Sequence, residues 1–355
     1  MVGISLLTLV PGVVGGSETY ARELMRALAR VGKLEYRVFV PTIAEDAADG
    51  LPSRTVTGYR AGRSMPARTV AMSLAAAAPW RLRRQLELES LDAIHFPLSV
   101  MLPRISRPPA ATTVLDVQHE LHPEFFSRAE LAYRQAVYGW TVGRSRIVIT
   151  ISQHAADALV ERLGLDPARV RPIHLGIDHE RFRPDPAVAR GEFLLYPALP
   201  WAHKNHARLF DVFARVRAQR PGLRLVLTGW DKPAPDGVEA RGRVSTDELV
   251  RLYRTAAALV FPSLYEGFGQ PPLEAMACGC PVACSNAASL PEVVGDAARL
   301  FDPESVEDIA AAVEEVLDAP DEWARRGLER AMQFSWDECA RRHEDVYREL
   351  TAKAS

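Results

Sequence analysis

The chain has 355 residues, of which 48% are hydrophobic and 25% are charged, and its formal net charge is −2. This length predicts about two domains, and the near-neutral charge disfavours a general nucleic-acid binder. Residues 1–175 carry 21 Lys/Arg and 16 Asp/Glu, whereas residues 176–355 carry 22 and 29. A basic half therefore precedes an acidic half, and we expect the two halves to have different partners.

No run of 18 apolar residues occurs, so no membrane-spanning helix is expected. Residues 1–10 lack the positive start and the cleavage site of a signal peptide, and they are interpreted as a buried first strand. The four cysteines do not form the pattern of a disulfide framework. These features predict a protein of the reducing cytoplasm.

In the first half, one helix is predicted over Glu18–Ala29, and short apolar runs predict strands. These strands are Ile4–Val10, Arg37–Val40, Ala93–Phe96, Thr112–Leu115 and Ile147–Ile151. A proline-rich break follows near residues 170–190, so the predicted domains are 1–175 and 176–355.

The same alternation then restarts, with helices predicted over Ala207–Ala218 and Thr246–Tyr253. The predicted strands are Glu192–Tyr196, Leu223–Thr228, Ala258–Phe261, Pro281–Ala283 and Arg299–Phe301. The final helix, about 335–350, is amphipathic, and the sequence leaves open whether it crosses back to the first domain. The rhythm predicts an α/β protein with two doubly wound domains facing across a cleft, with ligands at the carboxyl ends of the strands.

The segment richest in chemistry is SLYEGFGQPPLEAMACG, residues 263–279. A glycine loop follows a predicted strand, and Pro271 and Pro272 suit the first turn of a helix. Such a loop and helix start favour a phosphate. Carboxylates repel phosphate, so Glu266 and Glu274 are interpreted as acceptors of hydrogen bonds from ribose and sugar hydroxyls. The alternative is a tight turn with a solvated helix glutamate.

Glu266, seven intervening residues and Glu274 resemble the Glu-x7-Glu motif of retaining GT-B glycosyltransferases, glycosyltransferase family 4. The resemblance covers nearly the whole chain and includes residues 11–20, 173–178 and 289–297. It implies the GT-B fold, two Rossmann-like domains with the acceptor on the first and the donor on the second. It also implies a nucleotide diphosphate-sugar as substrate, no cofactor and no metal.

The resemblance also implies roles for single residues. Glu266 contacts donor-sugar hydroxyls near the anomeric carbon, and Glu274 binds the ribose. The amides around Gly267, Phe268 and Gly269 hold the diphosphate or the sugar.

Lys204 is expected to neutralise charge on the departing diphosphate, with a surface lysine as the alternative. The family usually places an arginine six residues earlier, where this chain has Ala198. His203 and Arg243 are candidates to compensate for that missing cation.

Three further segments are assigned to substrates. Gly15 and Gly16 follow the first strand and open a helix that Ser17 is predicted to cap, and the resemblance places them at the donor diphosphate and acceptor. They lack the Gly-x-Gly-x-x-Gly dinucleotide fingerprint. The base is expected near Val244, before a helix with Ser245 and Glu248 as a capping box. Gly229 is expected to let the nucleotide approach.

His119 is the predicted donor or acceptor contact in the first domain, and His122 is the alternative. Histidine pairs three residues apart also occur in metal sites, but chance pairs of this kind are common. Cys278, Cys280 and Cys284 match no common zinc spacing. No metal site is therefore predicted.

Residues 50–86 contain no acidic residue and seven arginines, at positions 54, 60, 63, 68, 81, 83 and 84. The apolar stretch Thr69–Trp80 runs into three of them. Residues 54–84 are a candidate for peripheral contact with an anionic membrane at its inner face, or for docking an anionic acceptor. The alternative is an ordinary helix with a solvated basic face.

The sequence thus predicts a retaining, metal-independent glycosyltransferase acting on a glycan, a glycolipid or a small natural product. The alternatives are a catalytically impaired nucleotide-sugar-binding protein and another GT-B enzyme such as a sugar-nucleotide epimerase. The sugar, the base, the acceptor and the oligomeric state are not determined by these motifs.

Overall fold

The computed structural model describes residues 1–12, 15–60, 62, 70–71 and 79–352. The chain divides into two compact units. Unit 1 comprises Met1–Gly176 and Trp336–Ser355, and unit 2 comprises Ile177–Ser335. Each unit is a Rossmann-like α/β domain built on a parallel sheet.

The strands of unit 1 are β1 Val2–Ser5, β2 Tyr36–Pro41, β3 Ser53–Val56, β4 Ala93–Phe96, β5 Ala110–Val114, β6 Ile147–Thr150 and β7 Val170–Pro172. The helices before its last segment are α1 Gly15–Val31, α2 Pro79–Gln85, α3 Gln118–Leu121, α4 Arg128–Arg144 and α5 Gln153–Leu163. Among the described residues the strand order is β3-β2-β1-β4-β5-β6-β7, and all pairings are parallel. The central strands are buried because helices cover both faces of such a sheet.

The strands of unit 2 are β8 Phe193–Pro197, β9 Arg224–Thr228, β10 Val238–Ala240, β11 Ala258–Phe261, β12 Val282–Ser285 and β13 Arg299–Phe301. Its helices are α6 His206–Gln219, α7 Thr246–Thr255, α8 Gln270–Ala277, α9 Leu290–Val294, α10 Val306–Asp318 and α11 Pro320–Ala331. The strand order is β10-β9-β8-β11-β12-β13, again parallel throughout. The strands β8 and β11 are therefore neighbours, although 60 residues of sequence lie between the end of β8 and the start of β11.

The first strand is shorter than predicted. The expected strand was Ile4–Val10, whereas β1 ends at Ser5. The amide of Leu6 still donates to the Phe39 carbonyl (2.9 Å), but the amide of Leu9 turns back to the Leu6 carbonyl (2.9 Å). Residues 6, 7, 9 and 10 are buried all the same. An apolar run marks burial, and a buried turn produces the same signal as a buried strand.

The predicted strands Ala93–Phe96, Ala258–Phe261 and Arg299–Phe301 are confirmed at those bounds. Three strands were not predicted, namely β3, β7 and β10, and each lies at the edge of its sheet. Edge strands are short and partly exposed, so their sequences lack the continuous apolar run of a buried strand. The prediction of Ser17 as a helix cap is wrong, because α1 begins two residues earlier, at Gly15.

The last helix, α12 Trp336–Ala352, packs on unit 1 against α1. The apolar side chains of this predicted amphipathic helix are buried, among them Trp336, Cys339, Val346 and Leu350. Two further buried side chains, His343 and Tyr347, make polar contacts with the sheet and with α1. The helix is thus joined to unit 1 by packing and by hydrogen bonds.

These hydrogen bonds form a chain with one consistent direction. The Cys339 carbonyl can only accept, so His343 Nδ1 donates to it (2.8 Å). Because burial keeps this imidazole neutral, His343 Nε2 accepts from the Tyr20 hydroxyl (2.9 Å). The hydroxyl of Thr113 then donates to Tyr20 (2.8 Å) and accepts from His95 Nε2 (2.8 Å). The remaining nitrogen, His95 Nδ1, accepts from Tyr347 (2.8 Å). Both imidazoles are neutral in this arrangement. Burial lowers the pKa of His343 to about 4 and also lowers that of His95.

Candidate active site

Lys204 and Glu266 meet in unit 2. Lys204 lies in the loop after β8, and Glu266 lies in the loop after the neighbouring strand β11. The Lys204 ammonium donates to the Glu266 carboxylate at 2.5 Å, with 12% and 13% of the two side chains exposed. Parallel neighbouring strands bring their carboxyl ends to the same edge, which explains how residues 62 positions apart form this pair.

The two loops are also joined through their backbones and through side chains of the sheet. The Leu264 amide donates to the His203 carbonyl (2.8 Å). The Tyr196 hydroxyl donates to the Lys204 carbonyl (2.6 Å), and the Asn205 side-chain amide donates to the Pro262 carbonyl (3.1 Å). Sequence reasoning missed Tyr196 and Asn205, because their partners are backbone carbonyls and leave no motif.

The loop after β11 has a fixed shape. Gly269 has a φ of +119°, which L side chains rarely adopt, and a Cβ there would lie 2.8 Å from Leu290 Cδ2. Phe268 is buried and makes an edge contact with Phe334, with ring centroids 6.0 Å apart. The prolines Pro271 and Pro272 lie in the first turn of α8, as predicted. Gly269 therefore serves a loop conformation that another residue would strain.

Glu274 lies one turn inside α8, and its carboxylate accepts a hydrogen bond from the Tyr253 hydroxyl (2.9 Å). Burial raises the pKa of Glu274 to about 7, and the hydrogen bond from Tyr253 partly offsets that rise. A carboxyl group with this pKa carries its charge only in part at neutral pH. Tyr253 is a further residue that the sequence patterns did not single out.

The predicted base segment adjoins Gly229. The Gly229 amide donates to the Gly242 carbonyl (2.5 Å), and the Gly242 amide donates to the Trp230 carbonyl (3.2 Å). Arg243 and Val244 follow directly, and the Arg243 side chain is exposed. Ser245 caps α7 by accepting from the Glu248 amide, as predicted. The Glu248 carboxylate instead pairs with Arg241 (2.7 Å).

Ala198, at the position where the resemblance expects an arginine, is buried. A Cβ on Gly229 would lie 3.1 Å from the carbonyl carbon and oxygen of Ala198, so the two backbones approach closely. His206, at the start of α6, is also buried against the Tyr196 and Trp230 rings. Burial lowers the pKa of His206 to about 4, so this imidazole is neutral at pH 7 and does not supply the missing charge.

In unit 1, His119 lies on α3, after β5. Its ring is buried and packs edge-on against Tyr138, with centroids 4.5 Å apart. Burial lowers its pKa to about 4, with Arg134 adding to the shift. His122 is more exposed, and its Nδ1 lies 3.0 Å from the Glu124 carboxylate. Burial thus keeps the His119 imidazole neutral at pH 7, and His122 is the more exposed of the two candidates.

Gly15 and Gly16 form the first residues of α1. A Cβ on Gly16 would meet no atom within 4 Å, so packing within unit 1 does not require glycine at that position. Residues 61, 63–69 and 72–78 of the basic stretch lie outside the described residues. In its described part, Trp80 is 63% exposed and Arg81 and Arg84 are exposed beside it on α2.

Within the described residues, no three His, Cys, Asp or Glu side chains are grouped as a metal site would require. The four cysteines are free and buried. Burial raises the pKa of Cys278 and of Cys280 to about 12, so both are thiols at neutral pH. No helix in the described part of the chain is both long and apolar enough to span a bilayer.

Two family models match the chain in succession. Residues 14–181 match glycosyltransferase family 4, and residues 179–332 match glycosyl transferases group 1. The O-antigen chain mannosyltransferase B of Escherichia coli is 29% identical over 300 residues, covering 76% of this chain and 77% of that relative.

Solved structures match over nearly the whole chain. The sucrose-phosphate synthase of Thermosynechococcus elongatus has a TM-score of 0.76 at 19% identity, with 100% of this chain and 99% of that chain covered. Anabaena HepE in complex with UDP-glucose has a TM-score of 0.72 at 16% identity, covering 98% of this chain and 99% of that chain. At these identities the likeness concerns the fold.

The two parallel-sheet domains, the matching family models and these neighbours define a glycosyltransferase of the GT-B fold. The chain belongs to the GT-B glycosyltransferases whose successive domains the two models describe.

Proposed function

We propose that the protein transfers a sugar from a nucleotide diphosphate-sugar to an acceptor hydroxyl with retention of the anomeric configuration. The observation that carries this proposal is the Lys204–Glu266 pair at the carboxyl ends of β8 and β11. Lys204 can neutralise a leaving diphosphate, and Glu266 can accept hydrogen bonds from sugar hydroxyls. Glu274 on α8 supplies a second carboxylate for the ribose.

In the proposed reaction the acceptor oxygen bonds to the anomeric carbon on the face from which the diphosphate leaves. The bond from that carbon to the diphosphate oxygen breaks, and the acceptor proton passes to the departing phosphate. Lys204 stabilises the charge that develops on the diphosphate. Glu266 and the amides around Gly267, Phe268 and Gly269 orient the sugar, and His119 is the proposed contact from unit 1.

Mannose is the proposed donor sugar. Support comes from the E. coli relative, which is named as a mannosyltransferase, and a nucleotide-linked donor is supported by the UDP-glucose complex of a structural neighbour. The proposed acceptor is a growing glycan, a glycolipid or a small natural product. No metal or cofactor takes part in this proposal.

A two-stage experiment tests the proposal. Thermal shift with nucleoside diphosphates, GDP-mannose, UDP-glucose and related donors identifies the nucleotide, because a ligand bound only by the folded state raises the melting temperature. Release of the nucleoside diphosphate, with and without acceptors, then measures transfer, and NMR of the product assigns the anomer. If Lys204→Ala and Glu266→Ala both transfer sugar at the wild-type rate, the site assignment is wrong. An inverted product refutes retention.

A second candidate is a nucleotide-sugar-binding protein with impaired catalysis. The observation that favours it is Ala198, which is buried where the resemblance expects a cation. This candidate predicts donor binding without transfer to any acceptor in a broad panel. A sugar-nucleotide epimerase would instead convert the donor sugar when no acceptor is present, which analysis of the recovered donor detects.

We further propose that α2 contacts an anionic membrane at its cytoplasmic face. Exposed Trp80 beside Arg81 and Arg84 supports this, because aromatic and cationic side chains suit a charged lipid interface. The free cysteines fit a reducing compartment. Cosedimentation with phosphatidylglycerol vesicles, lost in Trp80→Ala, supports the contact. Equal binding to neutral vesicles, or none to either, contradicts it.

A further inference from the structure

Ser289 lies directly before α9 and is buried. Its hydroxyl donates to two main-chain carbonyls of the loop after β11, those of Glu266 (2.8 Å) and Phe268 (2.7 Å). The single hydroxyl proton of Ser289 thus forms a bifurcated hydrogen bond with the carbonyls of Glu266 and Phe268. The residue lies outside the Glu-x7-Glu segment, 23 positions after Glu266.

The direction of these carbonyls has a consequence for the loop. In a trans peptide the C=O and the following N–H point in opposite directions. Since the carbonyls of Glu266 and Phe268 both point to Ser289, the amides of Gly267 and Gly269 both point away from it. Ser289 therefore fixes the orientation of two peptide units, the one that joins Glu266 to Gly267 and the one that joins Phe268 to Gly269.

The hydrogen bond from Ser289 to the Glu266 carbonyl also restrains the backbone that carries the Glu266 side chain. The carboxylate of Glu266 lies 2.5 Å from the Lys204 ammonium, and the Lys204 carbonyl accepts a hydrogen bond from the Tyr196 hydroxyl (2.6 Å). Leu290 also packs on the loop, since its Cδ2 would lie 2.8 Å from a Cβ on Gly269. The start of α9 thus supports the loop by one hydroxyl and one apolar side chain.

We propose that Ser289 is a positioning residue that holds residues 266–269 in the conformation needed for sugar transfer. This proposal rests on the proposed function and extends it to a residue outside the site itself. Ser289 has no expected contact with the donor. It acts by keeping the Glu266 carboxylate and the two peptide units in place, which lowers the cost of ordering them when the donor binds.

The matched variants are Ser289→Ala and Ser285→Ala. Ser285 is also a buried serine of unit 2, and its hydroxyl accepts from the Ala287 amide (3.0 Å), so it does not bond the loop. Each variant removes one buried hydroxyl, and both are expected to lose a similar amount of stability. Only Ser289→Ala is expected to release the loop.

The first readout is amide hydrogen exchange of residues 264–270 in the substrate-free protein, which does not depend on activity. Ser289→Ala is expected to exchange at least tenfold faster there than wild type and Ser285→Ala. Exchange that matches the Ser285→Ala control overturns the proposal, whatever the activity.

The second readout is a split between binding and turnover. Ser289→Ala is expected to lower kcat at least tenfold. The Kd for the nucleoside monophosphate, which lacks the sugar to be transferred, is expected to stay within twofold of wild type. A kcat equal to that of Ser285→Ala, or an equal loss in kcat and in nucleotide binding, overturns the positioning role. If wild type transfers no sugar from any donor, the proposed function fails, and hydrogen exchange still decides whether Ser289 holds the loop.

Discussion

Replacing Glu266 with glutamine is expected to have opposite effects on binding and on catalysis. In the free protein the Lys204 ammonium lies 2.5 Å from the Glu266 carboxylate. A diphosphate that uses Lys204 must compete with that carboxylate and also approach its negative charge. Glu266→Gln keeps the shape of the side chain and removes both obstacles.

The structure sets the size of the effect. Two unit charges about 5 Å apart interact by about 3 kcal/mol at an effective dielectric constant of about 20. Both side chains are slightly exposed, at 12% and 13%, so solvent screens part of this energy. We therefore expect about 1–2 kcal/mol, or about 5- to 30-fold tighter binding of the nucleoside diphosphate.

Isothermal titration with the nucleoside diphosphate measures the affinity, and product release measures transfer, which is expected to fall at least about 100-fold. The control is Glu314→Gln, whose carboxylate pairs with Arg220 (2.6 Å) at the C-terminal ends of α6 and α10. That ion pair lies at the helix ends remote from the carboxyl ends of the strands. Unchanged or weaker nucleotide binding by Glu266→Gln would refute the reasoning.

Three further predictions test other parts of the structure. Glu274 has a pKa of about 7, so wild-type nucleotide affinity should fall about tenfold from pH 8 to pH 6, as the carboxylate that binds the ribose is protonated. Titration calorimetry of Glu274→Gln should show an affinity that depends less on pH. An equal pH dependence in both proteins would contradict this. The pKa of His343 is about 4 in the folded protein, below its ordinary value of about 6.5. The unfolded chain therefore binds a proton that the folded chain does not, and the unfolding free energy should fall as the pH drops from about 6.5 to about 4, by about 3 kcal/mol. Urea unfolding at pH 7 and pH 4.5 should show a smaller fall for His343→Gln, and identical falls would remove His343 as the cause. Gly269→Ala should lower the free energy of unfolding by about 1–3 kcal/mol because of the positive φ at this position. The control Gly139→Ala, with no atom within 4 Å of the added Cβ, should raise it by about 0.5–1 kcal/mol. Thermal unfolding distinguishes the two variants, and equal shifts in melting temperature would show that a side chain at residue 269 causes no backbone strain.

Much of the fold is predictable from local pattern. Apolar runs predict the strands Ala258–Phe261 and Arg299–Phe301, and helical spacing predicts most of α6 and α7. The prolines at the start of α8 and the cap at Ser245 are likewise local chemistry. Local pattern failed at the edge strand β3 and at the length of β1, where burial and secondary structure do not coincide.

The sequence by itself determined the residue types of the candidate site: a glycine loop, two carboxylates eight positions apart and a lysine after an earlier strand. It could not determine that Lys204 contacts Glu266, that Ser289 holds the carbonyls of that loop, or that α12 belongs to unit 1. Spacing along the chain reports what one helix or strand places on a face. Contacts between residues 23, 62 or more positions apart depend on strand order and helix packing, and these are decided only when the whole sheet and the helices that cover it are assembled.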